Sequence, residues 1–341
     1  MRPLSVAVTL AVAMLLGLVV TVPGHGAAVS PDDTDGDDTG LHLLREAAAA
    51  GRTHRYTGVV RFAVERPGAG MASARVEVSG ADGVLTVREA SAQASARRVD
   101  PGSPAGGLSA PTPGMLDALA RNYHVVSAGR GTVCGRDSRI VEARRDDGGV
   151  AARFWVDESS RLLLRRDVFD GRGRLAGSVA FIEVEIPHPR RDVTPVSGSS
   201  AAPSEAELAR LRARGWVFPA GLPNRLGLFA AREEERDYLY LGYSDGLSVV
   251  SVFVQRGYLD EERLTGWHVQ PRAGHMTWTR DSFRQEAIWA SGGHVYTVLA
   301  DAPTDMVDAA VAALPHERES GFWTRVFRGA ARLVSWANPF A

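Results

Sequence analysis

Gly242-Tyr243-Ser244-Asp245-Gly246 spells G-x-S-x-G, the pattern that carries the serine nucleophile of many hydrolases. Asp260, His268, His275 and His294 lie downstream, so a Ser–Asp–His order can be assembled on paper. The chemistry needs a strand, a sharp turn and then a helix whose N-terminus supports the oxyanion. Here the turn is followed by L-S-V-V-S-V-F-V, Leu247 to Val254, which alternates and is rich in β-branched side chains. That is a strand. Ser244 is therefore expected at a hairpin tip, turning through the two residues Asp245-Gly246. No catalytic residue is assigned.

The remaining reactive side chains are scattered. The nine histidines contain no H-E-x-x-H, and Cys134 is the one cysteine, so neither a zinc site nor an intramolecular disulfide is supported. Within Thr132-Val133-Cys134 it reads as a small buried residue. His42 and His54 are isolated, and His268 and His275 sit seven apart around Pro271 and Gly274. Asp33, Asp35 and Asp37 imitate a calcium loop, but the glycine is misplaced and the twelfth position is Leu44. There is no Walker loop or dinucleotide fingerprint, and the glycine-rich stretches 102–107 and 171–173 lack a flanking strand and helix. No metal or cofactor is implied.

The elements around these residues read as antiparallel sheet. Residues 153–186 make three strands, broken at Asp157-Glu158-Ser159-Ser160 and Asp170-Gly171-Arg172-Gly173. In the last, Ala180, Ile182, Val184 and Ile186 alternate with Phe181, Glu183 and Glu185. A helix is expected over 41–50, strands at 56–65, 74–79, 83–89, 123–127 and 131–144, and a helix over 115–121. Residues 100–114, rich in Pro and Gly, read as a mobile loop. Residues 187–207 form a linker. A second domain over 208–315 follows, with a helix at 208–214, a hairpin of 238–243 with 247–254, strands at 283–289 and 294–300, and a helix at 304–314.

The 341 residues are 45% hydrophobic and 23% charged, an ordinary globular composition whose length suits two domains. A net charge of −1 gives no reason to expect nucleic acid. All 39 basic residues are arginine, which fits a GC-rich genome. Residues 1–28 read as an export signal: Arg2, an apolar run from Leu4 to Val22, then small residues around Ala27 and Ala28. The run is long enough to stay as an anchor instead. Either way the chain is expected outside the cytoplasm, on the periplasmic or cell-envelope side, after an acidic linker at 29–40. The tail, 316–341, places Trp323 and Phe327 at helical spacing opposite Arg325, Arg328 and Arg332. Such a face suits a membrane surface, or docking on this protein or a partner.

One face of the first domain's strands carries Tyr56, Val60, Phe62, Phe154 or Trp155, Phe169 and Phe181. This is either a packed core or the wall of an apolar groove. Two segments bear on the choice. F-W-V-D-x-x-x-x-L-L-L-R followed by D-x-x-G, and Tyr243-Ser244-Asp245-Gly246-Leu247 through Val254, resemble the RseB/MucB family of extracytoplasmic sigma-factor regulators. Weaker echoes lie at Arg55–Gly58 and Val298–Leu314, so the resemblance spans roughly 41–315. It implies an α+β, β-rich protein: a LolA-like antiparallel half-barrel at 41–186, then a smaller sheet-plus-helix domain. It implies a non-enzymatic regulator that binds the external segment of a membrane anti-sigma factor, shields it from proteolysis and responds to lipid. The seven apolar residues named above would then line a lipid groove. Tyr243, Ser244, Asp245, Gly246 and Phe253 would help hold the partner. A lipid or lipoprotein carrier on the same scaffold is the alternative.

Overall fold

The computed structural model describes residues 37–66, 70–81, 84–89, 97–99, 111–187, 202–234, 238–272, 275–281 and 285–316. After a helix α1 (Asp37–Thr53) come β1 (Tyr56–Arg66), β2 (Gly70–Ala81), β3 (Val84–Glu89) and β4 (Arg97–Val99). A second helix, α2 (Pro113–Asn122), leads to β5 (His124–Val133), β6 (Arg136–Arg144), β7 (Val150–Asp157), β8 (Leu163–Phe169) and β9 (Leu175–Glu185). All nine strands join one sheet in the order β4-β3-β2-β1-β9-β8-β7-β6-β5, every neighbour antiparallel.

Two meanders thus meet at β1 and β9, where Phe62 pairs with Val179 and a bulge falls between Val59 and Val60. The sheet is not flat. Three strands separate β5 from β9, yet the Cys134 thiol beyond the end of β5 donates to the Phe181 carbonyl at 2.8 Å. The strands therefore curl into a half-barrel. On one face lies α1, whose Leu43, Leu44, Ala47 and Ala48 form a stripe at helical spacing. They share a buried cluster with Val141, Ala143, Phe154 and Val156 of the sheet and Leu116 and Leu119 of α2.

The second unit begins with α3 (Glu205–Ala213), started by a capping box in which Ser204 and Glu207 satisfy each other's backbone N–H. Eight strands follow: β10 (Gly221–Leu222), β11 (Leu226–Glu234), β12 (Tyr238–Ser244), β13 (Val249–Arg256), β14 (His268–Arg272), β15 (His275–Asp281), β16 (Gln285–Ser291) and β17 (His294–Asp301). Their order is β10-β11-β12-β13-β17-β16-β15-β14. Leu239 and Leu241 on β12, Val250, Val252 and Val254 on β13, and Val298 on β17 point to one face. That face is closed by α3 and by α4 (Thr304–Ala313) through Leu208, Leu211, Val307 and Val311. Each such aliphatic side chain contributes about 1.5–3 kcal/mol on burial.

Several expectations need correcting. The single strand expected over 131–144 is a hairpin, because Cys134 and Gly135 both take positive φ (52° and 72°) and reverse the chain. Cys134 is accordingly an exposed turn residue, not a buried one. Both early helices start sooner than periodicity suggested: α1 at Asp37, inside the expected linker, and α2 at Pro113, where the Thr112 side chain accepts from Met115 N. Asp37, the last member of the calcium-like triplet, is thus helical, while Asp33 and Asp35 lie outside the described residues. So do residues 100–110 of the expected loop. Strands β11, β14 and β15 were not anticipated; β14 is a sheet edge, where Pro271 is tolerated.

Candidate functional site

Ser244 ends β12, and the chain goes directly into β13 with Ser244 paired to Val249. No helix follows, so the elbow is absent. The turn is also longer than a two-residue Asp-Gly turn, spanning 245–248. The Ser244 hydroxyl is buried and accepts from Gly246 N at 2.9 Å. His294 is far from it along the sheet: Val249 pairs with Asp301, whereas His294 pairs with Arg256, seven residues away on β13, roughly 24 Å at strand spacing. His275 is engaged elsewhere, stacked on His316 at 3.8 Å. Among the described residues no three metal-ligating side chains come together.

What the 245–248 loop does is join the two units. Asp245, fully buried, shapes the loop by accepting from Leu247 N (2.9 Å) and Ser248 N (2.6 Å) through Oδ1. Its Oδ2 accepts from the Tyr123 hydroxyl at 2.6 Å, and its backbone carbonyl from Asn122 Nδ2 at 3.0 Å. Burial, reinforced by the charge and hydrogen bond of Asp245, raises the Tyr123 hydroxyl well above the usual tyrosine range, so it stays a donor. Gly246 has φ +100°, and a Cβ there would lie 2.3 Å from Leu119 N. Only glycine lets the loop touch the α2 backbone. The Leu247 carbonyl accepts from Arg166 Nη2, and its side chain enters the α1–α2 cluster. At the rim Arg225 donates to the Asn122 carbonyl and to Asp146 Oδ2, both at 2.6 Å.

Of the residues singled out as partner contacts, Tyr243, Ser244 and Asp245 are thus buried, and Gly246 packs on α2. The Tyr243 hydroxyl donates to the Pro219 carbonyl within the second unit. Phe253 differs. It lies on the face of β13 turned away from α3 and α4, beside Tyr240 (ring centroids 5.3 Å apart) and Tyr238 (6.3 Å).

The apolar residues of the first unit also separate. Phe154 belongs to the cluster under α1, whereas Tyr56, Val60, Trp155 and Phe181 are buried in a second one. Tyr56 lies on Gly80, where a Cβ would fall 2.2 Å from the ring, and meets Phe181 edge-on at 6.0 Å. Burial pushes its hydroxyl pKa up to about 12. Phe62 packs against this cluster, and Phe62 and Phe169 are partly exposed. Five of the seven are therefore core side chains here. Trp323, Arg325, Phe327, Arg328 and Arg332 lie outside the described residues.

Sequence reasoning missed Asn122, Tyr123, Arg166 and Arg225, none of which has a motif. The signal available was Leu247, a large aliphatic residue inside a D-G-L-S turn that would otherwise face water.

Fold and site together define an antiparallel, β-rich α+β protein whose two sheets are locked by a hairpin loop. Residues 69–205, which run from β2 to the start of α3, match the model of the MucB/RseB N-terminal domain. Solved structures similar to this chain include one of MucB (17% identity, 81% of this chain and 97% of that one, TM-score 0.48). Others are MucB in complex with MucA(peri) (17%, 82% and 100%, 0.44) and the MucA/MucB complex of Pseudomonas aeruginosa (18%, 81% and 98%, 0.43). No curated protein sequence matches the chain.

Proposed function

We propose that this chain is a non-enzymatic regulator of an extracytoplasmic-function sigma-factor pathway. It binds the external segment of a membrane anti-sigma factor, shields that segment from proteolysis, and senses lipid through its first domain. The observation that carries this reading is the MucB/RseB N-terminal domain at 69–205, followed in the same chain by the second sheet. On this reading residues 41–186 and 208–315 are the two working domains, joined by 187–207. Residues 1–28 export or anchor the chain, placing it on the periplasmic or envelope side. The tail at 316–341 contacts the membrane surface. Because Tyr243 to Gly246 are engaged with the protein itself, the partner contact of the second domain falls on the half-buried aromatic face around Phe253, Tyr238 and Tyr240.

The test is capture of partners by the tagged full-length protein from gently crosslinked envelopes, analysed by proteomics. A single-span anti-sigma factor is expected, lost on deletion of 208–315 and weakened by Phe253→Ala. Capture of lipid or lipoproteins without such a partner would replace the regulator with a lipid or lipoprotein carrier, which the helix-covered sheet face also suits.

A further inference from the structure

The buried cluster under α1 and α2 is built almost entirely by the first domain: Leu43, Leu44, Leu116, Leu119 and Phe154 are its large members. One buried residue comes from elsewhere. Leu247, only 3% exposed, reaches in from the second domain at the tip of the 245–248 loop. The loop holds its own shape through Asp245, so Leu247 is delivered on a preformed support. Immediately behind it stands Arg166, whose side chain is 11% exposed and lies on the same face as Phe154 by strand register. Its acceptors on the second domain are the Leu247 carbonyl and, at 3.9 Å, Asp301.

We infer that Leu247 is an intramolecular plug, and that the place it fills takes the chain of an anionic single-chain amphiphile. An aliphatic tail would replace the Leu247 side chain under α1 and α2, and its acidic head would replace the Leu247 carbonyl on Arg166. A near-buried guanidinium whose two second-domain partners, the Leu247 carbonyl and the Asp301 carboxylate, withdraw together needs another acceptor, and an anion is the strongest one available. Ligand and loop then exclude each other, so occupation of the first domain releases the second by the same free energy with which the loop opposes ligand. The inference rests on the lipid-sensing part of the proposed function and supplies its site and its linkage to the partner-binding domain.

The experiment is fluorescence titration of the full-length protein with a dansyl-labelled undecanoic acid, comparing wild type with Leu247→Ala and Tyr123→Phe. Removing the plug is expected to tighten binding about tenfold, and loosening the loop by one hydrogen bond about threefold, because each shifts population toward the open state. Arg166→Gln should weaken the acid while leaving the corresponding alcohol unaffected. If wild type binds the acid and both variants bind it equally well, the plug is overturned and lipid sensing stands. If neither wild type nor Leu247→Ala binds at all, plug and lipid sensing fall together while the anti-sigma contact is untouched. Should Leu247→Ala fail to fold, Tyr123→Phe decides alone, since it keeps every apolar contact; unchanged affinity there overturns the plug.

Discussion

At the scale of single residues the chain is governed by paired arginines. Asp157, at the end of β7, is almost wholly buried and accepts from Arg136 Nε and Nη2, both at 2.9 Å, from the Ser159 hydroxyl, and from Ser160 through its N–H and hydroxyl. Burial alone would raise its pKa; the Arg136 and serine hydrogen bonds outweigh that and hold the carboxyl far below the usual range. A carboxylate depressed in the folded state contributes stability that is complete above about pH 4 and is lost as pH falls through the folded value. Asp157→Asn is therefore expected to cost about 2–3 kcal/mol at neutral pH, by urea titration, and to flatten the acid limb of the stability curve. Ser244→Ala loses one hydroxyl–amide contact and should cost about 1 kcal/mol, with no change in partner capture. The D-E-S-S turn itself was legible from composition, since its residues favour reversal. That its aspartate is the most heavily hydrogen-bonded carboxylate of the hairpin was not, because Arg136 arrives from β6, 21 positions earlier.

At the scale of elements, alternation and punctuation served well wherever a strand has one wet face and one dry. The β12–β13 hairpin and β9 were legible for that reason. Legibility failed where tertiary contacts override propensity. The break at Cys134-Gly135 carries no Asn or Asp, and β14 is a polar edge strand whose pairing partner supplies its only reason to be extended. The end of α4 shows another contact that no local pattern reveals. His316 stacks on His275 and on Trp289, at 3.8 and 4.8 Å between centroids, and its Nε2 lies 2.8 Å from the Val311 carbonyl. Burial lowers its pKa; the Val311 carbonyl opposes that, and His275 lowers it further. Arg272, opposite His275 on the same hairpin, adds a positive charge, itself paired with Asp308 of α4. A histidine depressed in the folded state is protonated first in the unfolded chain, so stability falls as pH drops below about 6.5. Protection factors of the α4 amides, with exchange rates corrected for their intrinsic pH dependence, should fall between pH 7 and pH 5, and His316→Phe, which keeps the stack, should abolish that fall.

At the scale of the whole molecule, the antiparallel, β-rich character could be read from alternation and turn residues, but not the way the two sheets meet. The 242–246 motif attracts attention as chemistry, and the residue types from Asp245 to Leu247 are explained by geometry: aspartate to shape the loop, glycine to touch a helix backbone, leucine to enter a foreign core. The turn between β10 and β11 adds to this contact at a cost. Asn224 and Arg225 both take φ near +60°, a conformation unfavourable for non-glycine residues, and Arg225 thereby reaches Asn122 and Asp146 of the first unit. Strain held at an interface makes docking a balance that a single side chain can tip. Gly246→Val is the sharpest such change, since a β-branched residue is unsuited to φ +100° and its Cβ would overlap Leu119. Each sheet keeps its own core in that variant, so folding should survive. One calorimetric transition should become two, and trypsin should cut the 187–204 stretch faster than in wild type. A variant that instead melted once, at the wild-type temperature, would show that the sheets do not depend on this loop for their mutual position.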